Sequence, residues 1–587
     1  MSLGRIVGVI VWWLWIPAVY FIITGFLALF GHGLGEARQS LSLAVQEWLL
    51  PGGLFDVGSY TPLAWIYVIV GMIGTAVIML TSEYRPSVGD NSVGVLAAIL
   101  ALVCLAPMVA AFWDNDKDDG RYYSSATVYH LPTKTPPSTA PLFKTADDKP
   151  ATMTKAANGC QYGVHDVKAC IKVSDTPFVP DWEGRTASLN GALKAIGKAA
   201  STVQRVDVME ESATYLPGKD ADTGVWTTIL DGSERIQPIS GVAEWDGKAQ
   251  AAQVCPFRDG YKFNRAFNGD RMNDLENYVT EYYPQLLFER SDVWGYCAGD
   301  PKAPVADRYP VIVIPVQQAV PFEVQTVRVP AGVLVLKGST SGTPDITWKP
   351  NVKAGEFPGP VYPLSIVTDQ REATEWTAGR RYMNLASFGF EPATDEVQAG
   401  NTSEFLLRDR KTRRLWFVTP ATPNGSKSQS IIAYTMIPAD RVTSGTLNPL
   451  DIHVFGADHN PVNFNDMLSD AVNYLAISRD YSTLVPSGLK LTEFTPLTET
   501  KWRLFGEVRG VTKLYMDVTY GQASATSVVT LDAATQPPTT QTNVNATTQA
   551  TASGCTNDPA KMQEKALVDC AAVYLDEYRR RATTPKS

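Results

Sequence analysis

The sequence predicts an α+β protein: three N-terminal transmembrane helices, a large mixed and β-rich exported region, and a C-terminal helix. Three observations predict it. Residues 6–30, 63–80 and 93–113 are apolar runs without a charged side chain, each with the roughly 18 to 25 residues that a helix needs to cross a ~30 Å hydrocarbon layer. Helix-periodic segments are then followed by consecutive strand-like ones, the order expected of α+β rather than alternating α/β. Six cysteines lie beyond the apolar runs in a chain with only seven, a usage that suits an oxidising compartment.

Residues 1–113 are the predicted membrane anchor. Arg5 precedes the first run as in a signal peptide, but that run is about twice the length of a signal's apolar core, so it reads as a retained span. Trp12, Trp13, Trp15 and Tyr20 supply amphipathic aromatics of the kind found at membrane boundaries. Residues 36–50 carry Leu41, Leu43, Val45, Trp48 and Leu49 at helical spacing, as a short amphipathic helix would. Flanking cations do not set the orientation: Arg5 and Arg85 fall on one side, and Arg38, Lys117 and Arg121 on the other. The cysteines do, because disulfides place the body outside the cytoplasm and the N-terminus inside.

Cys104 sits within the third run as a packing residue. The others fall into neighbouring pairs, Cys160 with Cys170, Cys255 with Cys297 and Cys555 with Cys570, the most economical of the available connectivities. C-x-x-C and clustered Cys/His spacings of a zinc site are missing.

Residues 114–159 are predicted to form an extended stalk. Asp114, Asp116, Asp118 and Asp119 make a hydrated collar whose spacing differs from a calcium loop, and 131–159 is rich in Pro, Thr, Lys and Ala. Residues 160–350 read as an α+β domain with helices over 187–203 and 271–288, the latter ending near Pro284, and strands over 309–316, 323–329 and 333–337. Residues 351–531 read as a β-rich domain with one helix. Its strands fall at 404–408, 414–419, 431–436, 451–455, 502–508, 513–518 and 527–531, the Pro423-Asn424-Gly425 turn separates two of them, and the helix spans 464–478. Residues 532–554 are Thr, Ala, Gln and Asn with almost no apolar content, hence a flexible linker. Residues 555–587 hold a C-terminal helix over 560–581, capped by Asp558-Pro559 and stapled if Cys555 joins Cys570.

Candidate site residues are few. The histidines are His32, His130, His165, His453 and His459. His453 and His459 stand six apart, unlike the i, i+4 pair of a helical zinc site, and read as a structural turn. The run containing Lys411, Arg413 and Arg414 is a basic hairpin tip, a surface candidate for an anionic partner and otherwise a solvated turn. Tyr278, Tyr282, Tyr283, Phe288, Trp294 and Tyr296 form an aromatic stretch that suits core packing and also a binding platform. Nucleophile elbows, phosphate loops, dinucleotide fingerprints and kinase signatures are missing, so no catalytic, cofactor or metal residue is assigned. With 60 acidic residues, two carboxylates can still meet in space. Asn401, Asn424 and Asn545 head acceptor triplets for glycosylation.

A net charge of -9 without a long basic run argues against nucleic acid as partner. The expectation is a membrane-anchored envelope protein in the lipid bilayer, non-catalytic, whose extracytoplasmic body binds a protein partner or forms a homo-oligomer. The alternative is a membrane-tethered hydrolase acting on envelope polymers. Transport through the spans is disfavoured, because they lack the intramembrane charges that mark such pathways.

Overall fold

The computed structural model describes residues 8–15, 18, 22, 62–81, 120, 122–132, 134, 172–174, 179–201, 205–220, 223–234, 236–247, 252–269, 273–300, 302–322, 325–378, 389–393, 405–425, 430–456, 462–508, 511–520 and 526–530. The protein is a mixed α+β chain, rich in β structure. Several expectations lie outside these residues: the third apolar run, the 36–50 helix, the acidic collar, Cys160, Cys170, Cys555, Cys570, His459, the 532–554 linker and the terminal helix.

Residues 8–15 are helical, and the second apolar run forms α1 (Pro62–Thr81). The two helices meet through small residues: a Cβ on Gly71 would strike the Trp13 ring, and one on Gly74 the Trp12 ring. Trp13 Nε1 donates to Thr75 Oγ1 at 2.8 Å, and the Tyr67 hydroxyl donates to the Trp13 carbonyl at 2.6 Å. Polar atoms on this face are thus paired internally, while Ile10, Val11, Leu14, Trp15, Ile69 and Met72 are exposed. Among the described residues no helix is long and apolar enough to cross a membrane. α1 runs for about 30 Å at 1.5 Å per residue, with its side chains described over 64–77.

The body is a stack of sheets. After β1 (Thr127–His130) and β2 (Lys172–Ser174) comes helix α2 (Leu189–Ala200), whose N-cap Ser188 accepts from the Gly191 N–H. β3 (Val206–Pro217), β4 (Gly224–Gly232), β5 (Gly241–Trp245) and β6 (Gln253–Pro256) make an antiparallel four-stranded sheet in sequential order. Helix α3 (Leu275–Tyr282) follows, capped by Asp274. β7 (Trp294–Ala298), β8 (Tyr309–Phe322), β9 (Gln325–Lys337) and β10 (Asp345–Lys349) make a second four-stranded meander. Helix α4 (Leu364–Glu372) leads to β11 (Phe390–Pro392), β12 (Phe405–Arg408), β13 (Leu415–Pro423), β14 (Ala433–Pro438) and β15 (Leu450–Val454). These strands join β1 and β2 in a seven-stranded sheet ordered β11-β13-β14-β15-β1-β2, with β12 also on β13. Helix α5 (Phe464–Ile477) precedes the last four-stranded sheet: β16 (Leu489–Pro496), β17 (Lys501–Val508), β18 (Val511–Thr519) and β19 (Ser527–Thr530).

Strand alternation explains the stacking. On β8, Val311 and Val313 face a core shared with Leu450, Ile452 and Phe417 of the seven-stranded sheet, while Ile312 and Ile314 face one shared with Ile229 and Val242 of the first sheet. A strand buried on both faces needs a continuous apolar run, and VIVIPV supplies it. The other face of the seven-stranded sheet packs Tyr434, Met436 and Val418 against Trp502, Leu504 and Met516 and against Phe464 of α5. Helix α2 covers the outer face of the first sheet through Ile196, Ala192, Trp226 and Leu230. The largest core draws residues from both sides of position 350.

Some expectations change. Residues 127–130, inside the segment read as stalk, form β1 of the seven-stranded sheet, one strand in from its edge and parallel to both β15 and β2. Four residues beside a Pro/Thr-rich stretch carry too short a pattern, yet Tyr129 is fully buried there. The strands expected at 323–329 and 333–337 are one strand, β9, whose register shift near Gly332 admits a kink. Gly332 has φ +99°, and a Cβ there would meet the Lys349 carbonyl oxygen. The first sheet, β2, β7, β10, β11, β16 and α4 are not among the elements the sequence predicts. The predicted pair Cys255–Cys297 is a disulfide with its Cα atoms 6.1 Å apart, joining β6 to β7 and so the first sheet to the second.

Candidate functional site

The densest set of buried charges surrounds residues 181–188, DWEGRTAS, an irregular strap leading into α2. Trp182 to Ser188 are all buried. Its backbone groups are satisfied by the surrounding sheets: Trp182 N donates to Leu497 O, Glu183 N to Arg408 O, and Trp226 Nε1 to Ala187 O.

The basic hairpin tip between β12 and β13 is tied to this strap. Arg408 and Arg413 both bind the Glu183 carboxylate, and Arg413 holds a left-handed φ of +62°. Arg414 makes a two-pronged pair with Asp440 at 2.6 and 2.7 Å. Asp409 caps the turn through the Thr412 N–H, and Arg410 lies 3.3 Å from Asp181. Of the three surface candidates, Arg413 and Arg414 are therefore engaged within the protein, and Lys411 is the exposed apex.

Arg185 is enclosed by the rings of Trp226, Phe405 and Tyr215 at 5.0, 5.4 and 5.7 Å. Burial lowers its guanidinium pKa, and Glu493 opposes that shift. Arg503 donates to the Arg185 carbonyl and forms a two-pronged pair with Asp517. Gly184 is required there, because a Cβ would meet the Arg503 guanidinium.

Glu493 closes the cluster. It lies where the β16–β17 register slips between Thr492 and Thr495, and its φ is +55°. The bulge turns its carboxylate onto the start of α2, where Oε1 accepts from Leu189 N at 2.5 Å and Asn190 N at 3.3 Å. Beside it, Ser188 Oγ contacts Glu507 Oε1 at 2.8 Å and Thr512 Oγ1 at 2.6 Å. Burial pushes the Glu493 carboxyl up to about 8, against lowering by Arg185 and the two helix N–H groups.

Three other buried carboxyls act in the same way. Asp292 accepts from Leu364 N, Ser365 N and Ser365 Oγ at the start of α4, and burial raises it to about 7. Asp231 accepts from Phe267 N and Asn268 N, and burial raises it to about 6. Asp274 caps α3 and is raised to about 7, again by burial. These groups fasten loops and helix starts.

His453 lies on β15, within the strand predicted over 451–455, and the turn expected between it and His459 runs outside the described residues. Its Nε2 is 2.5 Å from Glu499 Oε1, and in the neighbouring strand His130 stands in register with it, 3.5 Å from Asp451. Parallel register puts both imidazoles on one sheet face. Among the described residues no group of three or more His, Cys, Asp or Glu side chains is arranged to hold a metal ion. In the aromatic stretch, Tyr278 and Trp294 are core residues and Tyr282 is exposed.

Sequence reasoning missed Glu183, Arg185, Glu493 and Asp292, because their partners are distant in the chain. Ser188 ahead of the periodic α2 was the one local signal, as an N-cap. Comparison with protein families, curated proteins and solved structures finds no match.

Proposed function

We propose that the protein is anchored in a lipid bilayer by its three apolar runs, and that its body lies outside the cytoplasm and works without catalysis, by binding a protein partner or assembling with copies of itself. The observation that carries the anchor is the pairing of the 8–15 helix with α1. Glycines and a Trp–Thr hydrogen bond close the inner face, as in membrane helix pairs, and large apolar side chains cover the outer face. In water such a contiguous surface is unfavourable by about 25 cal/mol per Å²; acyl chains remove that penalty. The Cys255–Cys297 disulfide supports an oxidising compartment for the body. Binding rather than catalysis fits a body whose perturbed carboxyls cap backbone segments.

Crosslinking in native membranes followed by size exclusion in mild detergent tests this reading. A discrete adduct, homo-oligomeric or with one partner, is expected. A lone monomer at every crosslinker length contradicts it.

A further inference from the structure

The 181–188 strap is buried irregular backbone on which two sheets and the start of α2 converge, and a single side chain from the far sheet fastens its end. That side chain sits in a bulge, in a backbone conformation that non-glycine residues rarely adopt. An outlier of this kind persists where the surroundings hold it. Glu493 Oε1 is bound to the two helix N–H groups. Its other oxygen, Oε2, and Arg185 Nε are buried without a hydrogen-bond partner.

We propose that Glu493 is a proton-controlled latch: in its neutral form it fastens the start of α2 to the β16–β19 sheet, and its ionisation releases the 181–188 strap. The groups that face it are Arg185 on the strap and Glu507 on β17. Arg503, Asp517 and Tyr215 lie behind Arg185, Arg408 and Arg413 hold Glu183, and α2 brings no acidic residue in its first turn. Arg185 and the helix N–H groups favour the carboxylate; exclusion of water and Glu507 oppose it, and exclusion of water is the largest influence. A carboxyl that titrates high when buried and normally when exposed makes opening more favourable by about tenfold for each pH unit between its exposed and its buried pKa, and no further above the latter. Local opening of the strap is the least disruptive way to hydrate it.

Hydrogen exchange of the full-length protein in detergent, read as protection factors so that the intrinsic pH dependence cancels, tests this. Between about pH 6 and about pH 9, protection over 181–200 is expected to fall about a hundredfold, most of it below about pH 8, while 309–337 holds steady. Glu493→Gln, neutral at every pH, is expected to abolish the fall. No fall in the wild type, or the same fall in Glu493→Gln, overturns the proposal. If that variant does not fold, Glu507→Gln decides: it removes a like charge that holds the Glu493 carboxyl up, so the fall must persist and level off at a lower pH, and a fall that disappears or keeps its wild-type position overturns the latch.

Discussion

Asp292 and Glu493 hold the first turns of α4 and α2 through backbone N–H groups, and burial raises their carboxyls to about 7 and about 8. Folded and unfolded chains therefore bind protons differently. In the unfolded chain these groups ionise near their ordinary values of 3.8 and 4.5, while in the folded chain they stay neutral. Their stabilisation is complete below those values and is lost as pH rises through about 7 and about 8. Urea unfolding should give a larger free energy at about pH 5 than at about pH 8, with Asp292→Asn and Glu493→Gln each flattening the slope; a free energy that climbs over this interval contradicts the assignment. The Arg503–Asp517 pair behaves differently, because both partners are nearly enclosed. Removing one, as in Asp517→Ala, leaves a buried charge alone, and a loss of about 3 to 5 kcal/mol in the same assay is expected. None of these contacts is visible in the sequence: Arg185 and Glu493 lie 308 positions apart (493 − 185), and nothing in their neighbours distinguishes them from surface charges.

Elements with strong local periodicity were legible. Helices α2, α3 and α5, the β12–β13–β14 meander and the last three strands lie within a few residues of their predicted bounds. The first sheet was not, for physical reasons. β3 carries Glu210-Glu211 where its register shifts, which breaks the alternation, and β4 is buried on both faces with Thr and Asp among its residues. The predicted pair Cys255–Cys297 forms, and it spans the two sheets at a sequence separation of 42. Replacing both cysteines by serine should cost about 2 to 4 kcal/mol, read as a lower Tm that reductant does not lower further. A Tm equal to wild type would mean that the sheet packing alone fixes the interface. In α1, Gly71→Leu places a branched side chain against the Trp13 ring. Crosslinking between residues near 13 and near 71 should then be lost, while the body keeps its Tm.

Across the whole molecule, β1 ties the segment around residues 127–130 to the core. Pinned between β15 and β2, it brings Tyr129 into contact with Phe390 and Ile452, although its segment had read as a spacer. Tyr129→Ala should cost about 3 to 5 kcal/mol, and a body expressed from residue 132 onward should fail to fold where one beginning at 120 folds. The proposed anchor rests on the apolar runs, and the proposed compartment on the cysteines. Both rest on composition, which reports the surrounding solvent more directly than it reports topology. The most direct test is a non-reducing peptide map of native membranes washed with alkaline carbonate, with free thiols blocked beforehand. The account predicts that the protein stays in the membrane pellet and that the peptides holding Cys255 and Cys297 are recovered linked. Release into the wash, or recovery of both cysteines as blocked free thiols, would contradict it.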